Sequence, residues 1–283
     1  MLNKSIIQLS NTLGHRAERM LIMKKFLTIV LAIVMVACTF AGCAGSANSD
    51  LKYIQNKGKL TVGITEFSPM DYKDENGEWI GFDADLAKII AQKLGVEVEF
   101  YIITDWGKKF TELEEKQIDV ICNGMTISDA VKNNCNCSIA YAYNAQVVVI
   151  PDDMIESYAD VAALKDAKVA VENGSTGEDA AIEAGFVNVI VQQYQYDALM
   201  DVVSGESDAC VIDYTMASSM IADGAVYDNL DVAFTLCEEA YGIGFRKDSD
   251  VTGKVNQILK ELAADGTLQE LADKYGVILV DGL

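Results

Sequence analysis

Segments of strand length alternate with segments of helical periodicity in the first half of the chain, and this alternation leaves few folds open. Each apolar segment has the length of a buried strand, and each longer segment repeats apolar residues at the three- and four-residue spacing of a helix face. In order they are the strand KLTVGI (59–64), the helix DLAKIIAQKLG (85–95), the strand VEVEFYII (96–103), the helix WGKKFTELEEKQ (106–117) and the strand DVICNG (119–124). Such an order is typical of a parallel sheet covered by helices.

The same order begins again near residue 146 and predicts a second unit. Its segments are the strands QVVVI (146–150) and KVAVENG (168–174), the helix GEDAAIEAG (177–185), the strand VNVIVQQ (187–193), the helix DALMDVVSG (197–205) and the strand DACVID (208–213). A strand and turn then follow, and two amphipathic helices that are separated at Asp265. The sequence therefore predicts an α/β protein of two lobes with a cleft between them. Residues 51–145 with 238–283 form lobe 1, and residues 146–237 form lobe 2.

Residues 1–42 have the layout of a secretory signal and are excluded from the predicted fold. Lys24 and Lys25 precede an uncharged apolar run, and small residues then lead to Cys43. The run is too short to be taken as a membrane-spanning helix. We expect translation to start at Met23 and the small, polar residues 43–50 to form a flexible tether.

Charge and composition exclude several classes of partner. Residues 43–283 carry 17 basic and 42 acidic side chains, a net charge of −25, which repels phosphate backbones and anionic lipid headgroups. We therefore expect no nucleic-acid partner. The single histidine, His15, lies in the signal segment, so the rest of the chain has no imidazole for general-base catalysis or metal ligation. No cofactor and no metal site are expected.

Five motifs in order indicate the family that the chain resembles. They are GFDADLAKIIAQKL (81–94), CNGMTIS (122–128), GSTGE (174–178), DACVID (208–213) and ADGTLQELADKYG (264–276). Their order and spacing resemble those of the bacterial extracellular solute-binding proteins of family 3, the amino-acid type that serves ATP-driven importers. The resemblance covers residues 51–278. It implies a two-lobed, periplasmic-binding-protein-like fold in which each lobe is a mostly parallel sheet flanked by helices, with two hinge strands joining the lobes.

The residues before Cys43 resemble the lipobox of bacterial lipoproteins. Phe40 stands where leucine is usual, and Ala41 and Gly42 follow it. The resemblance implies cleavage before Cys43 and its lipidation, palmitate included, so that the protein is extracytoplasmic and lipid-anchored to the cell membrane. Cys38 is a poorer second candidate, and an unlipidated signal peptide is the alternative reading.

Two aromatic residues match the family's positions for sandwiching the side chain of the ligand. These are Phe67, directly after a predicted strand, and Trp106. Ligands of open α/β sheets bind beyond the carboxyl ends of strands, which favours a binding role for Phe67. The alternative for both residues is an ordinary core position.

A polar turn after the strand DVIC matches the family's site for the α-carboxylate of the ligand. The turn consists of Asn123, Gly124, Met125 and Thr126, and in the resemblance the Gly124 backbone and the Thr126 hydroxyl approach the ligand. The alternative is a simple strand-to-helix turn that is capped by Thr126 or Ser128, and capping can coexist with binding.

One position departs from the family pattern. The family places an arginine five residues after the hydroxyl residue as a bidentate clamp on the carboxylate, and this chain has Val131 there. Lys132 is adjacent, but it is a point charge on a different helix face. With Glu66 and Asp105 expected near the cleft, we expect a cationic or modified amine-bearing ligand rather than an acidic amino acid.

The second lobe is expected to supply a hydroxyl pair and one carboxylate. Ser175 and Thr176 precede a predicted helix, whose free N–H groups and positive end attract a carboxylate. Asp213 matches the acid that receives the α-ammonium of the ligand. The alternatives are an ordinary N-cap for the first two and a solvated carboxylate for Asp213.

The implied function is that of a non-enzymatic binding component of an ABC importer. We expect a monomer that binds a small solute, an amino acid or analogue, and passes it to a membrane permease. No catalytic residues are expected. Two alternatives remain open: a dehydratase-type enzyme on the same fold, and a component that presents its ligand to a sensor. The first needs a positioned acid and cationic groups for two carboxylates, and without a histidine outside the signal segment and without the family's arginine the chain supplies these poorly.

Overall fold

Two five-stranded sheets organise the part of the chain that the computed structural model describes, residues 49–221, 224–225 and 227–283. The strands are β1 (Lys59–Ile64), β2 (Tyr72–Lys73), β3 (Trp79–Ile80), β4 (Glu97–Ile102), β5 (Val120–Ile121), β6 (Asn136–Cys137), β7 (Ala142–Pro151), β8 (Lys168–Glu172), β9 (Asn188–Gln192), β10 (Ala209–Asp213), β11 (Leu230–Tyr241) and β12 (Gly244–Phe245).

The described α-helices include the six that the sequence predicts, and the first, fourth and seventh of the described helices were not predicted. They are α1 (Asp50–Lys57), α2 (Phe82–Leu94), α3 (Lys109–Glu114), α4 (Asp129–Asn134), α5 (Thr176–Ala184), α6 (Gln195–Ser204), α7 (Tyr214–Met220), α8 (Val251–Ala264) and α9 (Thr267–Tyr275). Two short 3-10 turns lie at Trp106–Lys108 and Asp152–Met154. The two C-terminal helices separate at Asp265 and Gly266, as the sequence predicts.

Both sheets are mixed rather than uniformly parallel. The first has the order β4-β1-β5-β12-β6, with β1 parallel to β4 and β5, and β12 antiparallel to β5 and β6. The second has the order β11-β7-β10-β8-β9, with β8 parallel to β9 and β10, and β7 antiparallel to β10 and β11. The expected parallel pairing therefore holds for three strands of each sheet, and the returning strands add antiparallel pairs.

Two long antiparallel strands connect the sheets. β7 and β11 pair from Ala142 with Tyr241 to Pro151 with Leu230, and two residues after β11 the chain enters β12 of the first sheet. These are the two hinge strands that the sequence implies. The predicted lobe boundaries, 145/146 and 237/238, fall within them and stay a prediction.

The N-terminal end of the described region differs from the prediction. Asp50 was expected to end the tether, but it begins α1 and is buried. Its carboxylate accepts a hydrogen bond from Arg246 Nε at 2.9 Å. A short hairpin of β2 and β3 was also not predicted; Asp74 organises its turn by accepting from the backbone N–H groups of Asn76 and Glu78, each at 2.9 Å.

The predicted signal segment and Cys43 lie outside the described residues. Within the described ranges, no helix combines the length and the apolar character that crossing a membrane requires.

Candidate functional site

A cavity of about 90 Å³ lies between the ends of the two sheets, and polar loops from both sheets line it. All nine residues that the sequence predicted as ligand-binding line this one cavity: Phe67, Trp106, Asn123, Gly124, Met125, Thr126, Ser175, Thr176 and Asp213. They come from segments as far apart as 67 and 213 in the chain. The topology therefore brings together the residues that the motifs singled out.

The turn after β5 is held by hydrogen bonds within the protein. Asn123 Oδ1 accepts from the N–H and hydroxyl of Thr65 at 3.0 and 2.7 Å, and Nδ2 donates to Asp71 at 2.8 Å. The Gly124 N–H donates to Asp83 Oδ2 at 2.7 Å. Asn123 therefore joins neighbouring loops and, in this arrangement, supports the cavity wall.

Gly124 is required where the turn meets Phe67. Its φ is +59°, and a Cβ there would lie 2.5 Å from Phe67 Cε1. The backbone and the ring are thus in direct contact at the cavity wall, and a side chain at residue 124 would strain both the turn and the ring packing.

The hydroxyl of Thr126 makes a hydrogen bond that the sequence did not predict. It donates to Glu239 Oε1 at 2.8 Å. Ser128, the other candidate cap, accepts from the Val131 N–H at 3.1 Å and is the N-cap of α4. The capping alternative is therefore confirmed for Ser128, and Thr126 is not the cap.

The two predicted aromatic residues are both buried and both line the cavity. Phe67 is 3% exposed and packs edge-on against Tyr241, with ring centroids 6.5 Å apart. Trp106 is 8% exposed and belongs to a small apolar cluster with Met125 and Val131. Each ring therefore belongs to the core and also lines the cavity, so the two alternatives do not exclude each other.

Val131 makes the expected clamp position apolar. Its side chain is buried, lines the cavity and packs in the cluster with Trp106. Lys132 is exposed, lies 3.7 Å from Asp129 and is absent from the cavity lining, so it lies on a different face, as the sequence indicated.

Lys109 is a site residue that the sequence analysis missed. It is 5% exposed and lines the cavity, and its Nζ donates to the backbone oxygen of Gly174 at 2.9 Å. Nζ also stands over the rings of Trp106 and Phe110, 4.8 and 4.7 Å from their centroids. Burial lowers its pKa to about 8. The sequence offered one signal that Lys109 is a cavity residue: it lies three residues after Trp106, on the next helical turn.

The second sheet contributes the start of α5 to the cavity. Ser175 is the N-cap and accepts from the Glu178 N–H at 3.1 Å, while Thr176 is the first helical residue. The N-cap alternative thus holds for Ser175, which nevertheless lines the cavity. The helix also brings Asp179 to the cavity lining.

Asp213 sits in a network of buried amides. Gln146 Nε2 donates to it at 2.9 Å, and Asn144 and Gln195 donate to it as well. Gln146 Nε2 also donates to Glu239 at 3.0 Å, so amides bridge the two acids. Burial, and then the charge of Glu239, raise the pKa of Asp213 well above its usual range.

Glu172 is a second buried carboxyl group at the cavity, beside Asp213. Unlike Asp213, it was missed by the sequence analysis. It ends β8, is 4% exposed and lines the cavity. Burial, and then the charge of Asp213, raise its pKa to about 8. The argument used for Phe67, that ligands bind beyond the carboxyl ends of strands, applies equally to Glu172 and could have found it. Glu66 and Asp105, expected near the cleft, are absent from the lining.

Contacts across the mouth join the two walls of the cavity. Asn173 Nδ2 donates to Asp105 Oδ1 at 2.8 Å, and Gln193 Nε2 donates to the Thr104 oxygen at 2.8 Å. Gly174, with φ +66°, packs directly on Gly107, where an added Cβ would lie 2.6 Å from the Gly107 Cα. The geometry is that of a closed cleft, in which both walls contribute polar groups to one cavity.

Comparison with known proteins identifies the class to which this fold and site belong. The family model of bacterial extracellular solute-binding proteins, family 3, matches residues 60–278, and the chain belongs to this family.

Three relatives illustrate the similarity. The arginine-binding extracellular protein ArtP of Bacillus subtilis is 33% identical over 262 residues, which cover 89% of this chain and 98% of ArtP. The structure of holo ArgBP from T. maritima is 33% identical with a TM-score of 0.70, covering 77% of this chain and 98% of that one. The ancestral amino acid-binding protein AncCDT-1, a precursor of cyclohexadienyl dehydratase, is 32% identical with a TM-score of 0.74, covering 80% and 99%.

Proposed function

We propose that the protein is the extracytoplasmic substrate-binding component of an ABC importer and that its ligand is an amino acid with a positively charged side chain. It holds the ligand in the cavity between the two sheets and delivers it to a membrane permease. Because both walls contribute polar groups, ligand contacts stabilise the closed arrangement over an open one.

The charge pattern of the cavity is the observation that carries this proposal. Among the residues that the structure describes, three carboxyl groups, those of Glu172, Asp179 and Asp213, line the cavity with a single basic side chain, Lys109. An α-amino acid presents one carboxylate and one ammonium, and a basic side chain adds a second cation for the remaining acids. An acidic amino acid would instead bring two carboxylates to a wall that is already rich in them. The names of ArtP and its arginine-binding relatives support the same class of ligand.

A thermal-shift panel tests the ligand class. We expect L-arginine, L-lysine or L-ornithine at about 100 times its Kd to stabilise the protein by about 2.7 kcal/mol, a rise in Tm of about 5–10 °C. L-glutamine serves as the neutral reference, and L-glutamate and L-aspartate as the acidic ones. Stabilisation by the acidic amino acids alone, or by none of the panel, would sink the proposal.

The protein binds its ligand without converting it. The relatives named above are binding proteins, and AncCDT-1 alone of the three is linked by name to an enzyme. Incubation with the best ligand of the panel, followed by mass spectrometry, should recover that ligand unchanged. A product that accumulates with protein concentration, with prephenate-like acids included among the substrates, would instead support the dehydratase alternative.

Lipidation of Cys43 would keep this binding protein, a monomer, near its permease. One acyl chain gives only marginal membrane affinity, so we expect two or more, palmitate among them. The residues between this anchor and α1, which begins at Asp50, would link the membrane to the fold.

Cell fractionation of the full chain tests the anchor. Wild-type protein should partition into the detergent phase and incorporate labelled palmitate, whereas Cys43→Ser should appear in the soluble fraction. Cys38→Ser is the matched control and should stay in the membrane fraction. If Cys43→Ser partitions as the wild type does, Cys43 is not the anchor.

A further inference from the structure

The ammonium of Lys109 lacks a carboxylate partner among the residues that the structure describes. Its Nζ donates to two backbone oxygens, those of Gly174 at 2.9 Å and Trp106 at 3.2 Å. The ion pairs within 4.0 Å that the described ranges contain do not involve it. A charge that is 95% buried and without a counterion is unfavourable, and a carboxylate brought into the cavity would relieve this cost.

The bonding capacity of Lys109 leaves room for such a carboxylate. An ammonium has three N–H donors, and the two backbone oxygens use two of them. The faces of Trp106 and Phe110 hold the cation at the cavity wall through cation–π contacts. One donor and the full charge therefore remain for a group inside the cavity.

The cavity holds a second relevant feature, the apolar side chain at residue 131. Val131 lines the same cavity as Lys109, and among the described residues no other basic side chain lines it. The position at which the family pattern places a carboxylate clamp thus offers no charge, while a charge stands on a different element, at the start of α3.

We propose that Lys109 binds the α-carboxylate of the ligand and so takes over the role that an arginine at residue 131 would have. This inference rests on the proposed function, because it requires an amino-acid ligand. The carboxylate then lies against Lys109 and the aromatic wall, and the α-ammonium lies towards Asp213 and Glu172 across the cavity.

A purely structural role for Lys109 makes a different prediction. Its bond to the Gly174 oxygen joins the two walls, so its loss would weaken closure around any ligand, whatever groups that ligand carries. Comparing a ligand that has the carboxylate with one that lacks the negative charge separates the two roles.

The experiment measures the affinities of L-arginine and L-argininamide by isothermal titration calorimetry. Lys109→Met removes the bond to Gly174 for both ligands, so the test is the difference between them: L-arginine binding should weaken about 10- to 100-fold more than L-argininamide binding, the range for a lost hydrogen bond to a charged group. Lys109→Arg keeps the charge and should keep the preference for L-arginine over its amide. Lys108→Met is the matched control: Lys108 is exposed, lies at the neighbouring position and pairs with Asp105, and both affinities should match the wild type.

The outcomes separate failure of this inference from failure of the proposed function. Equal losses for the two ligands in Lys109→Met, or no loss, overturn the role of Lys109 while the amino-acid ligand stands. If the panel selects another amino acid, that amino acid and its amide replace the arginine pair. A wild-type protein that binds no amino acid overturns the proposed function, and this inference with it. Thermal melting of each variant verifies that it is folded.

Discussion

Two ionisable side chains at the cavity, Glu172 and Lys109, have pKa values that no local sequence pattern reveals. Burial disfavours the charged form of each, which raises the pKa of Glu172 to about 8 and lowers that of Lys109 to about 8. At pH 7 Glu172 is therefore mostly protonated, and Lys109 mostly carries its charge. Of these two groups, the ligand therefore meets a neutral carboxyl group and a cation, and the two do not form an ion pair with each other.

A cationic ligand should therefore displace a proton at pH 7. Its positive charge near Glu172 favours the ionised carboxylate and lowers the pKa of that group. Titration calorimetry of L-arginine in phosphate and in Tris should give different enthalpies, corresponding to about one proton released. Glu172→Gln should reduce this release by half or more, and Asp179→Asn, at an exposed carboxylate on the same cavity, should leave it unchanged. Equal proton release in Glu172→Gln and the wild type would contradict the prediction.

In a protein that carries Glu172→Gln, the affinity for L-arginine should fall as pH rises above 8. When the carboxylate binds the ammonium of Lys109, binding raises the pKa of that group above its free value of about 8. In this variant, affinity is then full below pH 8 and declines by up to tenfold per pH unit above it. The charges of four neighbours raise the pKa of Lys109 and so oppose the effect of burial; these are Glu172, Asp179, Cys135 and Asp105.

The variant Lys109→Arg isolates this effect, because a guanidinium does not titrate in this range. Both proteins should carry Glu172→Gln, which removes the other group with a pKa of about 8. Between pH 7 and 9.5 the ratio of the two affinities should change in favour of Lys109→Arg. Parallel profiles would show that titration of Lys109 does not control binding.

At the scale of elements, one arginine fastens α1 to the first sheet. Arg246, directly after β12, donates to Asp50 at 2.9 Å and to Asp119 at 3.3 Å. It also donates to the backbone oxygens of Leu113 and Ile118 at 3.1 and 2.7 Å. The cluster joins a helix from the start of the described region to a strand near its end.

Replacing Arg246 with methionine should cost about 3–5 kcal/mol of unfolding free energy. The cost arises because the buried Asp119 loses a charged partner and Asp50 loses its closest one. Urea unfolding measures it, with the exposed neighbour Lys247→Met as the control, expected within about 0.5 kcal/mol of the wild type. A similar stability for the two variants would mean that the cluster contributes little.

The elements themselves were largely predictable from the sequence. The periodicity of α2 and the glycine after it gave a helix that ends at Leu94, with Gly95 at φ +78°. The strand KLTVGI coincides with β1, because a continuous apolar run suits a strand covered on both faces. By contrast, DVICNG forms a strand of two residues, since Asn123 and Gly124 turn away to bond Asp71 and Asp83.

At the scale of the whole molecule, two glycine backbones pack against each other across the mouth of the cavity. Gly174 meets Gly107 with no room for a methyl group, whereas Gly185, which also has a positive φ, has no atom within 4 Å of an added Cβ. Closure therefore depends on small residues at two positions that lie 67 residues apart in the chain.

Gly174→Ala should oppose closure and weaken ligand binding by about 5- to 100-fold, the equivalent of about 1–3 kcal/mol of overpacking. Gly185→Ala is the matched control: it carries the same kind of backbone strain without the clash, so it should lower Tm but leave affinity unchanged. Titration calorimetry gives the affinities. Wild-type affinity in Gly174→Ala would mean that the cavity binds ligand without this contact.

The sequence by itself determined the α/β alternation and the order of the motifs, and the resemblance carried by those motifs indicated the family and nine of the residues that line the cavity. The alternation depends on local periodicity, which short stretches of chain encode. The sequence already shows Val131 where the family places an arginine. Only the tertiary structure decided which charged groups enter the site: Lys109 and Glu172 become cavity residues because long-range packing buries them there, and burial shifts their pKa values.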